Sequence, residues 1–70
     1  MTLKEHLEDA ELRVQRAQSR LNLQRESIAT LERADRDAVK EQRFLRTLEK
    51  ALAIHVAGRD RLAKQLADRG

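Results

Sequence analysis

Leu31-Glu32-Arg33-Ala34-Asp35-Arg36-Asp37-Ala38 lies at the middle of the chain, and its reading decides the fold. On its N-terminal side Leu3, Leu7, Ala10, Val14, Ala17, Leu21, Gln24, Ile28 and Leu31 recur at spacings that alternate between four and three. Such a series puts its members on one stripe of an α-helix. On its C-terminal side Ala38, Glu41, Leu45, Leu48, Leu52, His55, Arg59, Leu62 and Leu66 form a second series of the same kind. The two do not share a frame. Continuing the first would bring Asp35, Gln42 and Glu49 into the stripe and would leave out Leu48 and Leu62.

The frame slips at residues 34–37, and two structures accommodate the slip. One is a continuous helix with an irregular heptad; the other is a chain reversal. A reversal sets the stripes face to face, with Leu31 opposite Ala38, Gln24 opposite Leu45 and Leu21 opposite Leu48. The series goes on with Ala17 and Leu52, Val14 and His55, Leu7 and Leu62, and Leu3 and Leu66. Large and small residues partly alternate across the seam, as interdigitated layers require. Asp37 is suited to cap a helix beginning at Ala38, and Asp35 is acceptable in a turn, although no glycine marks the end of the first helix. The expected fold is all-α, an antiparallel two-helix hairpin of coiled-coil type forming one domain over residues 1–70. Its helices are placed at about 3–33 and 38–68, and its turn at about 34–37.

Composition agrees with this reading. Leu, Ala, Arg, Glu and Gln dominate, proline is absent, and glycine occurs only at 58 and 70. These are strong helix formers, whereas the β-branched and aromatic residues that sheets favour are scarce. The charged fraction, 39%, would suit a disordered chain, but a disordered chain would lack periodic leucine. No apolar run approaches the ~20 residues that cross a bilayer, and no secretory leader pattern is present. With no cysteine there is neither a disulfide framework nor a thiolate site, and a cytoplasmic setting is expected.

A two-helix seam uses one face of each helix, yet Leu12, Leu23, Phe44, Ala51, Val56 and Ala63 flank it. A second hairpin packed on that surplus makes a four-helix bundle. Self-association is therefore expected, as a homodimer or higher, and is assigned to Leu7, Val14, Leu21, Ile28, Leu45, Leu48, Leu52 and Leu62.

The chain also resembles a group of short, uncharacterised helical proteins common in rhizobial-type α-proteobacteria. The likeness is carried by His6-Leu7, Ala10-Glu11, Gln24-Arg25-Glu26, Leu31-Glu32-Arg33, Asp37, Thr47 and Glu49. Its most specific part is His55-Val56-Ala57-Gly58-Arg59-Asp60-Arg61-Leu62. Where that group has a glycine in the middle turn this chain has Asp35, and where it often has threonine this chain has Ala38. The resemblance implies helices and a hairpin, and brings no activity with it.

Chemistry-bearing residues are sparse. His6 and His55 lack the i, i+4 spacing of a helical zinc site, and no Glu-x-x-His motif of a di-iron bundle occurs. The carboxylates Glu5, Glu8, Asp9 and Glu11 cluster on solvent-facing positions, with nothing to separate their pKa values for acid–base work. Ser19 and Ser27 have no histidine base in reach. The expectation is a non-enzyme without metal or cofactor, acting through itself and another protein and not on a membrane. The alternative is a small basic nucleic-acid-associated protein. Its anion surface would be Arg13, Arg16, Arg20, Arg25, Arg43, Arg46 and Lys50, arginine being suited to phosphate. A net charge of only +3 and the lack of aromatic residues to stack on bases speak against it.

Overall fold

The computed structural model describes residues 1–69 and contains two α-helices, α1 (Leu3–Arg33) and α2 (Val39–Arg69), packed against each other as a hairpin. Its longest dimension is 54 Å, whereas an unbroken helix of this length would span about 105 Å. The continuous-rod reading is thereby excluded.

The start of α1 is fixed by a capping box. Thr2 Oγ1 accepts the Glu5 backbone N–H at 3.1 Å, and the Glu5 side chain accepts the Thr2 N–H in return. The pair satisfies two donors that a helix N-terminus otherwise leaves open. Thr2-Leu3-Lys4-Glu5 carries this signal in the sequence, independently of the apolar periodicity.

The end of α1 is where the chain reverses. The Arg36 N–H donates to the Leu31 carbonyl at 2.8 Å, and the Asp35 N–H donates to the Glu32 carbonyl at 3.1 Å. This nested pair is the Schellman arrangement, which requires a left-handed residue just past the helix. Asp35 supplies it at φ 59°, the one non-glycine positive φ among the described residues. Aspartate visits this region more readily than most residues because its short polar side chain bonds locally.

The second helix begins one residue later than expected. Asp37 Oδ1 accepts the N–H of Val39 at 3.0 Å, and the first helical carbonyl is that of Ala38, which accepts the Gln42 N–H at 2.9 Å, so the helix opens at Val39. Ala38 itself is buried under the end of the seam, at 6% exposure. α2 continues to Arg69, one residue past the expected limit.

Every member of the two heptad series is buried or half-buried in the hairpin. The buried set is small: Ala10, Ala17, Leu21, Ile28 and Ala38, of which three are alanine. α2 buries none of its own residues completely. Gln24 lies in the seam and is satisfied there, its Nε2 donating to the Glu41 carbonyl at 2.9 Å. A polar residue held in this way ties the two helices at one relative height, which leucine in its place would not do.

Two outcomes follow from this construction. Leu21→Ala should cost about 2–4 kcal/mol in urea unfolding, whereas Leu12→Ala, on the exposed back of α1, should change stability by less than ~0.5 kcal/mol. Asp35→Gly should stabilise the hairpin by about 0.5–1 kcal/mol by removing the left-handed penalty, and Asp35→Val should destabilise it by about 1–2 kcal/mol. Thermal and urea melts followed by helical circular dichroism measure both.

Candidate interaction surface

Because both seams repeat at seven residues, each side of the hairpin also repeats. On one side α1 presents the series Asp9, Arg13, Arg16, Arg20 and Leu23, and α2 presents Phe44, Thr47, Ala51, Ile54 and Gly58. Both again alternate three and four, forming a second stripe along each helix. Clefts open along this flank. One is lined by Arg13, Arg16, Ala17 and Arg20 of α1 with Leu48, Ala51 and His55 of α2. Its neighbour shares Arg13 and His55 and adds Ile54, Gly58 and Leu62. A third, toward the turn, is bounded by Leu23, Ser27, Leu31 and Glu41, and a fourth, at the opposite pole, by Leu3, His6, Gln65 and Asp68.

The other flank is different in kind. α1 there carries Glu8, Glu11, Gln15, Gln18, Asn22 and Arg25, all exposed, with Gln18 donating to Asn22 at 3.1 Å. The hairpin is thus asymmetric across its seam, with α1 polar on one flank and α2 uncharged from Phe44 to Gly58 on the other.

The exposed apolar side chains concentrate on the cleft flank. Phe44 is 51%, Ile54 71% and Leu23 64% exposed. A Cβ built on Gly58 meets nothing within 4 Å, so the surface above it is open. Leu12 lies on the back of α1, and Val39 is exposed at the start of α2. Ile54 was not among the flanking residues singled out from the sequence. Its signal was present in the series Phe44, Thr47, Ala51, Ile54 and Gly58, which becomes informative only once the neighbouring seam is fixed.

The eight residues assigned to self-association all stand in the seam of the single hairpin. Leu21 and Ile28 are buried there and have almost no surface left to offer a second copy. Leu7, Val14, Leu45, Leu48, Leu52 and Leu62 are half-buried and keep part of theirs. The seven basic residues are not brought together. Arg13, Arg16 and Arg20 line one cleft, whereas Arg25, Arg43, Arg46 and Lys50 do not line it. Arg13 is paired with Asp9 at 2.8 Å, an i, i+4 pair, while Arg16 and Arg20 have no ion-pair partner among the described residues.

Among the described residues, no group of three His, Asp or Glu side chains is placed to hold a metal ion, and no helix is long and apolar enough to cross a membrane. No protein-family model matches the chain, and comparison with curated proteins and with solved structures gives no match either.

Proposed function

We propose that the chain is a non-catalytic helical interaction module whose first partner is itself, two hairpins forming a four-helix bundle. The observation that carries this reading is the thin interior of the single hairpin. Only five residues are buried, three of them alanine, α2 has no buried residue, and Phe44, Ile54 and Leu23 stand in solvent on one flank. The radius of gyration, 16.1 Å, compares with about 11 Å for a globular domain of this length, so the chain is too drawn out to wrap its own apolar residues. A bundle of four helices covers two faces of each helix instead of one. The polar flank and the outer faces would remain free for another protein.

The mass in solution tests this directly. Sedimentation or light scattering should give twice 8.1 kDa or a higher multiple, and the melting temperature should rise with protein concentration. A mass of 8.1 kDa at every accessible concentration, with a concentration-independent melt, contradicts it.

A second reading, association with nucleic acid, is favoured by the three arginines around one cleft, two of them unpaired. Phosphate contacts would make the logarithm of affinity fall with the logarithm of salt by about 0.9 per contact. Titration of a duplex at several salt concentrations should therefore show a slope near three that flattens in Arg16→Gln with Arg20→Gln. The absence of binding at low salt eliminates this reading.

A further inference from the structure

We infer that the second copy docks on the cleft flank in register, about a two-fold axis parallel to the length of the hairpin, so that α2 of each copy lies on α1 of the other. This geometry rests on the self-association reading, and charge selects it. A two-fold axis across the length would instead lay α1 on α1 near Ala17. Arg13 would then face Arg20 of the second copy, and Arg16 would face its own counterpart. Like charges brought together in a partly dry interface are costly.

The lengthwise axis keeps every residue at its own height, so the opposition that operates inside one hairpin is repeated between copies. Phe44 then meets Leu23 of the second copy, joining two of the most exposed apolar side chains on the flank. Lys40 comes beside Glu26 of the second copy, and Arg61 comes beside its Asp9, placing opposite charges together toward both ends. The three arginines lie against Thr47, Ala51 and Ile54, which carry no charge. The small Ala51 and the open surface above Gly58 leave room for arginine stems to lie flat with their heads in water. The size also fits. A flank 54 Å long and 16 Å wide presents roughly 860 Å², near the ~800 Å² per partner of a stable interface.

The chain has no cysteine, so introduced thiols can be read one by one. Leu23→Cys and Phe44→Cys are made separately, since both sites are exposed in the hairpin and tolerate the change. Each is treated with a short bis-maleimide alone, and then the two are mixed and treated. Adjacent axes in a bundle stand about 8–10 Å apart, and diagonal ones stand farther. The mixture should yield a covalent dimer, and neither variant alone should. Ala51→Cys alone should also remain uncross-linked, because α2 and α2 of the second copy are diagonal; a covalent Ala51→Cys dimer would place them side by side and overturn the proposal. Sedimentation of the unmodified protein separates the two levels of the argument. A two-copy mass without the mixed product refutes this docking and leaves self-association intact, whereas a one-copy mass removes both.

Discussion

Two backbone hydrogen bonds at the end of α1 set the position of every other side chain. The donation from Arg36 to Leu31 and that from Asp35 to Glu32 turn the chain back at one residue, Asp35. A turn one residue longer would rotate α2 by about 100° relative to α1, since a helix advances by that angle per residue. Leu45, Leu48 and Leu52 would then leave the seam, and the stripe from Phe44 to Gly58 would no longer share a flank with Arg13, Arg16 and Arg20. The heptads specify that the helices have faces; the turn decides which faces meet.

That dependence explains what the sequence revealed and what it hid. The slip of frame between Leu31 and Ala38 was visible because apolar side chains repeat on both sides of it. The seam is visible for the same reason, and all eighteen residues of the two series are shielded in the structure. The turn chemistry was less legible. A left-handed helix end is usually announced by glycine, and here Asp35 occupies the position, so the signal was that of an ordinary polar loop residue. The start of α2 was displaced by one residue because the first helical carbonyl is that of Ala38, which accepts the Gln42 N–H, and apolar periodicity does not report which carbonyl that is.

The candidate surface was harder to see than the fold. Counting basic residues along the chain grouped Arg13 with Lys50, but helical geometry disperses them, and only three share a cleft. Arg25 lies on the polar flank with Gln18 and Asn22. Proximity in sequence is a poor guide to common orientation on a helix, where neighbours one or two positions apart look in different directions. Conversely Leu23 and Phe44, 21 positions apart, come to the same height on the same flank because the chain reverses between them. Surface patches of a hairpin are assembled from both strands of its length, so they become readable only after the pairing of the helices is known.

The cleft at the pole away from the turn draws Leu3 and His6 together with Gln65, Asp68 and Arg69. Both extremities of the described chain therefore emerge from a single pole, while the reversal occupies the other. Anything attached to either extremity, whether a fluorophore, an affinity tag or a fused domain, would be carried at the same tip. The opposite tip would stay clear. What is joined to either extremity would be held at one fixed place, with the reversal about 50 Å away from it.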